Sequence, residues 1–256
     1  MKHEVVSREA WLAARRDLLA REKAHMRQGD QLNAELRALP WVKVEKDYAF
    51  DSPNGSVSLS DLFAGRSQLF VKHHMLSPGQ QHYCVGCALE VDHLRGILVH
   101  LQHHDVSYVA IARAPIDEIE LLRRRMGWQF PFVSSYRSDF NYDFHVSFRP
   151  EDVQAGRAMY NFRPTSTEME DLSGDSVFYK DEHGDIFHTY SSFGRGGERY
   201  LGIYGFLDVM PKGRAEDGPY HALGDWARLH DSYGSGDTVE QSGRQRSGDC
   251  TCTPSG

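Results

Sequence analysis

The spacing of apolar positions changes several times along this chain, and each change predicts a different kind of element. From Ser7, a capping residue type, Trp11, Leu12, Ala14, Leu18 and Leu19 recur at helical spacing among many Arg, Lys and Glu. This predicts a helix ending near Gly29. A second short helical piece, Gln31 to Leu39, should stop at Pro40, because the residue before a proline is pushed out of the helical region. From Trp41 the texture turns to short apolar runs: Tyr48-Ala-Phe50 and Val57-Ser-Leu59 flank the turn signal Ser52-Pro-Asn-Gly55, as small strands would. Leu69-Phe-Val71 reads as a buried central strand leading into Lys72-His-His-Met75. Leu89, Leu94, Ile97, Leu98 and Leu101 form one helical stripe, Val106 to Ala112 is strand-like, and Ile116, Ile119, Leu122 and Met126 stand at helical intervals. Such strand, helix, strand, helix alternation predicts parallel strands with covering helices. Later, Ser176 to Tyr179 and Asp185 to Tyr190 bracket Asp181-Glu-His-Gly184 as a hairpin, and Leu223, Trp226 and Leu229 suggest a final amphipathic helix from Tyr220.

Composition narrows the classes. The 256 residues carry 29 basic and 36 acidic side chains, a formal charge of −7, with no basic run beyond Arg123 to Arg125, which reads as a solvated helix face. That balance argues against nucleic acid as the main partner. No stretch has the ~20 apolar residues of a membrane helix, and the first twenty residues carry charges where a signal peptide needs an apolar centre, so no membrane partner and a cytoplasmic location are expected. Four cysteines are too few for a secreted disulfide scaffold, and thiols in a reducing compartment are more often catalytic or metal-binding. No internal repeat is found. The expected organisation is an N-terminal helical extension over residues 1–40, an α/β domain over 41–230, and a disordered tail over 231–256 with almost no apolar content. The N-terminal helix is a candidate surface for a homo-oligomer.

Cys84-Val-Gly-Cys87 follows the predicted central strand and precedes the predicted helix, the context in which a CxxC pattern becomes informative. A sulfur at a helix start faces unpaired backbone N–H groups and the positive end of the helix dipole, so Cys84 should have a pKa below the ~8.5 of an ordinary thiol. Cys87, one turn inside, would be the resolving partner in a cycle of attack, mixed disulfide and release. His73, His74 and Arg113 end the two central strands, at the edge where α/β sheets do their work, and His82 lies two residues before Cys84. Each is a candidate supporting group, and each also has a bland reading as a structural imidazole or a salt-bridging arginine. A CxxC can also be half a zinc site, completed by His73, His74, His82 or the Cys250-Thr-Cys252 pair. Trp128, Phe130, Phe132, Phe140, Tyr142 and Phe144 fit either a core or a cleft wall. Asp139 and Asp143 have the spacing of a carboxylate pair without a hydrolytic pattern around them.

The segment Val57-Ser-Leu-Ser-Asp-Leu62, the strand Gln68-Leu-Phe-Val71, the CVGC loop and Val109-Ala-Ile-Ala-Arg-Ala-Pro115 resemble the thioredoxin-like superfamily, on the side of the alkyl hydroperoxide reductase and thiol-specific antioxidant proteins. More closely, LPWVKVEKDYAFD, GRSQLFVKHHM, RRRMGWQFPFVSS, SDFNYDFHVSF, SVFYKDEHGDIFHTY and FLDVMPKGR are similar to a bacterial family of predicted dithiol-disulfide oxidoreductases, domain of unknown function 899. The similarity runs from residue 5 to residue 233. It implies a thioredoxin-like α/β fold, a central mixed β-sheet flanked by helices, and a CxxC site with Cys84 as nucleophile and Cys87 as resolving thiol. No organic cofactor is implied; a thiol or disulfide substrate and an external thiol electron donor are.

The chain also departs from its relatives. Thioredoxins proper place a cis-proline before the strand facing the CxxC, where this chain reads Ser173-Gly-Asp-Ser-Val177, so substrate-backbone recognition must differ. Peroxiredoxins proper have a proline seven residues and a Thr or Ser three residues before the attacking cysteine. Here those places are Ser77 and Gln81, with Pro78 one place out, which favours dithiol exchange over a dedicated thiol peroxidase. A non-catalytic or metal-binding module is the reading from a different class.

Overall fold

The computed structural model describes residues 3–234, which fall into two compact units divided after Trp41. The first is one helix, α1 (Arg8–Arg37), with the Ser7 hydroxyl accepting the Ala10 N–H at 3.2 Å as its N-cap. The expected break at Gly29 is absent. A lone glycine costs a helix only about 1 kcal/mol relative to alanine, and the strong helix formers around Gly29 carry the ladder through it. The helix ends three residues before Pro40, as the proline requires.

In the second unit, β1 (Val42–Lys43) is followed by the hairpin β2 (Ala49–Ser52) and β3 (Gly55–Ser58), as the turn signal predicts. Then come β4 (Gln68–His73), α2 (Val85–Asp92), α3 (Leu98–His103), β5 (Val106–Ala112), α4 (Ile116–Arg125) and β6 (Phe132–Ser134). Short pieces α5 (Phe140–Asp143), α6 (Pro150–Gln154), β7 (Met159–Tyr160) and β8 (Arg163–Pro164) lead to the long hairpin β9 (Gly174–Lys180) and β10 (Ile186–Phe193), and α7 (Gly202–Leu207) follows. Eight strands form one mixed sheet in the order β1-β10-β9-β4-β5-β6-β2-β3, while β7 and β8 pair apart. Strands β4, β5 and β6 are parallel, and β9 runs antiparallel to β4 on its other side. A strand, a helix, a parallel strand, a helix and then an antiparallel hairpin beside the first strand make the thioredoxin-like arrangement, with β4 in the middle.

Side chains alternate across the central strands, so each face has its own core. Tyr108, Ala110 and Ala112 of β5 pack with Ala88, Val91 and Leu94 on one face, where α4 adds Ile119 and Leu122. The alanines let the helices approach closely. Leu69, Val71, Val109 and Ile111 turn the other way and meet Phe50, Phe63, Phe140 and Phe178. The aromatic run is therefore core packing for Trp128, Phe130, Phe132 and Phe140, all buried. At the β9–β10 turn, the Asp181 carboxylate accepts the N–H groups of His183 and Asp185 at 3.0 and 2.9 Å, and Gly184 takes φ +87°.

Two helical expectations need correction. The stripe from 88 to 101 is broken by a 3-10 turn, His93–Gly96, because Leu89 packs into a separate cluster with Leu201, Tyr204 and Trp226 while Leu94 joins the main core. The helix from Tyr220 is absent. Buried Asp225 instead accepts the backbone N–H groups of Gly218 at 3.1 Å and Tyr220 at 3.0 Å, holding a loop with only a 3-10 turn, Leu223–Asp225. The tail expected from 231 opens with a 3-10 turn, His230–Ser232, whose Asp231 pairs with Arg125 at 2.7 Å; its remainder lies outside the described residues.

Candidate functional site

Beyond β4 the chain is tied to the end of β5 by the Ala114 N–H, which donates to the Leu76 carbonyl at 2.8 Å. It then loops through Gly79, whose N–H donates to Glu118 Oε2 at 2.8 Å, and reaches Cys84, the N-cap of α2. Cys84 Sγ accepts the Cys87 N–H at 3.3 Å, so a sulfur takes the orphan donor that Ser or Asp usually takes at this position. Both cysteines are thiols rather than a disulfide, and their side chains are hydrogen-bonded to each other. Burial pushes the Cys87 thiol well above its ordinary value, helped by that hydrogen bond and by the charge of Cys84; the nearby Lys72 ammonium pulls the other way.

Neither sulfur is open to solvent. Cys84 is 3% exposed and Cys87 2%, in a cluster with Met75. Met169 and Leu172, on a strap between β8 and β9, pack against this cluster. The residue before Leu172 fixes this strap. Asp171, 5% exposed, accepts from Arg113 Nε at 2.9 Å, from Ser147 Oγ at 2.5 Å and from Ser77 Oγ. Arg113 also reaches Glu170 at 2.5 Å, and the Leu172 N–H donates to the Val146 carbonyl at 2.8 Å. Although burial works against its charge, these two carboxylates hold the Arg113 guanidinium above its ordinary value.

The candidate supporting residues do not converge on the sulfurs. His73 belongs to the opposite face of the sheet, stacked on Phe140 and Phe144, with Nε2 at 2.8 Å from Ser176 Oγ. His74 lies on the α2 face but against Trp128 and Phe132, and neither ring nitrogen has a partner of hydrogen-bonding geometry. Burial first, and the Lys72 charge second, lowers both imidazoles to about 3, so both are neutral near pH 7. His82 is exposed. Arg113 acts on the site through the strap. Lys46 bridges Asp139 and Asp143 at 2.9 and 2.8 Å, which makes that carboxylate pair a surface ion cluster. Among the described residues no group of three or more His, Cys, Asp or Glu gathers as a metal would need, so the zinc set of Cys84, Cys87 and nearby histidines does not assemble. Cys250 and Cys252 lie outside the described residues.

The charged groups that do act on Cys87 escaped the sequence reading. Lys72 of β4, 2% exposed, is held by Glu90 of α2 at 2.5 Å and Asp175 of β9 at 3.3 Å. Burial opposes the Lys72 charge, but the two carboxylates outweigh it and raise its pKa well above the ordinary value. Burial also raises Glu90, to about 8, against the pull of Lys72. Lys72 and Cys87 feel each other's charge, which couples this triad to the dithiol. The signal was present in the sequence: a lysine inside the apolar strand Leu69-Phe-Val-Lys72, and a glutamate inside the apolar turn Ala88-Leu-Glu-Val91. Charged residues are almost never fully buried unless paired.

The family model described as "Bacterial protein of unknown function (DUF899)" matches residues 1–233. No curated protein matches the chain. Among solved structures, a peroxidoxin, BcpB, from Mycobacterium tuberculosis is similar at 15% identity and a TM-score of 0.41, over 64% of this chain and 94% of that one. Peroxiredoxin Q of Xanthomonas campestris is similar at 12% identity and 0.41, over 60% and 87%. A yeast mitochondrial 1-Cys peroxiredoxin is similar at 16% identity and 0.38, over 65% and 75%. No helix among the described residues is long and apolar enough to cross a membrane.

Proposed function

The chain belongs to the bacterial family of unknown function DUF899, and within it we propose that it acts as a thiol-disulfide oxidoreductase, with Cys84 as the attacking sulfur and Cys87 as the resolving one. The observation that carries this reading is the pairing at the start of α2: Cys84 Sγ accepts the Cys87 N–H at 3.3 Å, and the two side chains are hydrogen-bonded. In the cycle, the Cys84 thiolate attacks one sulfur of a substrate disulfide; an S–S bond forms to Cys84 and the other substrate sulfur leaves as a thiolate that takes a proton. Cys87 then loses its proton and attacks Cys84 Sγ, which releases the second substrate thiol and leaves a Cys84–Cys87 disulfide. Two electrons have moved from the dithiol to the substrate, and an external thiol donor returns them.

Cys87 is the step that needs help, because its buried thiol holds its proton tightly. The Lys72, Glu90 and Asp175 triad supports this step by keeping a positive charge beside the sulfur and a carboxylate that changes protonation near neutrality. The substrate is a thiol or disulfide compound that displaces Met169 and Leu172 from the sulfurs. An insulin disulfide-reduction assay with an added dithiol donor tests the proposal. Turnover should be abolished in Cys84→Ala, and Cys87→Ala should accumulate a mixed disulfide on Cys84. Absence of turnover in the unsubstituted chain, with consumption of a hydroperoxide and a sulfenate at Cys84 instead, would replace this reading by a thiol peroxidase.

A further inference from the structure

Two cysteines and a methionine share one buried cluster, Met75, Cys84 and Cys87 each being no more than 3% exposed, and a second methionine, the partly buried Met169, packs against it together with Leu172. We propose that this cluster binds one copper(I) ion, with Cys84 and Cys87 as thiolate ligands and the thioether of Met75 or Met169 completing the shell. The site uses the sulfurs of the proposed redox cycle but requires no electron transfer, so it goes beyond that reading and stands or falls separately.

The donor set selects the ion. Thiolate and thioether sulfurs are soft and polarisable, and thioethers in particular favour copper(I). Zinc prefers four nitrogen, oxygen or thiolate donors arranged tetrahedrally. No third His, Cys, Asp or Glu joins Cys84 and Cys87 among the described residues, whereas copper(I) is satisfied by few sulfurs. The geometry is also suitable. The N-cap position of Cys84 sets its sulfur 3.3 Å from the Cys87 backbone N–H, and both cysteines belong to one buried cluster at the first turn of α2. Leu172 and the two methionines exclude water, and with it the hard oxygen donors that would favour a divalent ion. One copper(I) and two thiolates carry a single negative charge, and the buried Lys72 ammonium, whose charge acts on Cys87, would balance it. On binding, two S–H protons leave for solvent, two copper–sulfur bonds form, and no oxidation state changes.

The test is an anaerobic titration of the reduced full chain with copper(I) held by bicinchoninate as a coloured competitor, in a C250S/C252S background so that only the buried pair is read. One ion per chain should be withdrawn from the competitor. Cys84→Ser, which keeps an N-cap oxygen, and Cys87→Ser should each weaken uptake by more than about 100-fold, beyond the loss typical of an outer-shell contact. Thermal unfolding of the two variants confirms that they are folded. X-ray absorption should show a shell of sulfur only, and Met75→Leu or Met169→Leu should lower the affinity by about tenfold. No withdrawal of copper, uptake unchanged in both serine variants, or zinc displacing copper(I) at equal concentration would overturn the proposal. Copper uptake without disulfide turnover supports this site against the redox reading, and turnover without uptake does the reverse.

Discussion

Arg113 and Asp171, 58 residues apart in the chain, meet through Nε and Oδ1 at 2.9 Å, and this contact anchors the strap whose next residue, Leu172, covers the two cysteines. An arginine at the end of β5 therefore controls access to sulfurs at the start of α2. Removing one partner of a buried ion pair leaves the other desolvated and uncompensated, at a cost of roughly 3–5 kcal/mol. Arg113→Ala should loosen the strap and speed alkylation of Cys84 and Cys87 by iodoacetamide at least about tenfold, since each 1.4 kcal/mol of opening is a factor of ten. Alkylation at an unchanged rate in a folded Arg113→Ala variant would show that the strap is held by packing alone.

Lys72→Met should be among the most damaging single substitutions. It leaves Asp175 buried without its cation, again roughly 3–5 kcal/mol, takes from Glu90 its hydrogen-bond donor, and removes the positive charge that acts on Cys87. Urea unfolding measures the first effect. The second is read from the rate at which the mixed disulfide resolves, which should fall while the initial attack by Cys84 changes less.

The buried carboxylate makes stability depend on pH with a definite sign. Burial raises Glu90 to about 8 from its ordinary value near 4.5. Between these values the unfolded chain releases this proton and the folded chain keeps it, so the contribution of Glu90 is greatest below about pH 4.5 and is lost as pH rises through 8. Glu90→Gln should flatten that decline, and melting temperatures measured from pH 5 to pH 9 would show it.

The two histidines at the end of β4 act in the opposite direction. Both are lowered to about 3 by burial, against an unfolded value near 6.5. Above about pH 6.5 both states are neutral and nothing is lost; as pH falls below 6.5 the unfolded chain takes up protons the fold refuses, at about 1.4 kcal/mol per pH unit for each ring until pH 3. His74→Phe should remove one ring's share of this acid sensitivity. It should also leave neutral-pH stability unchanged or raise it, because neither nitrogen of His74 has a hydrogen-bonding partner to lose.

Gly174, opposite His73 where β9 begins, has no room for a methyl group. A Cβ there would lie 2.8 Å from the Phe193 ring and 3.1 Å from Val146. Gly174→Ala should cost about 1–3 kcal/mol through overpacking. A denaturation midpoint equal to that of the unsubstituted chain would contradict the packing described for this corner of the sheet.

By itself, the sequence was enough to locate β4, β5, α4, the β9–β10 hairpin and the placement of Cys84-Val-Gly-Cys87 at a helix start, because each depends on a local period or a local turn signal. Tertiary structure alone decided that Met169 and Leu172 seal the sulfurs, that Lys72 pairs with Glu90 and Asp175, and that His73 and His74 face different cores. It also decided that Asp225 closes a loop where the apolar spacing suggested a helix. The physical reason is the range of the interactions. Periodicity records which side of an element is apolar, whereas desolvation and charge pairing depend on what segments about a hundred residues away bring to that side: Lys72 meets Asp175 across 103 positions.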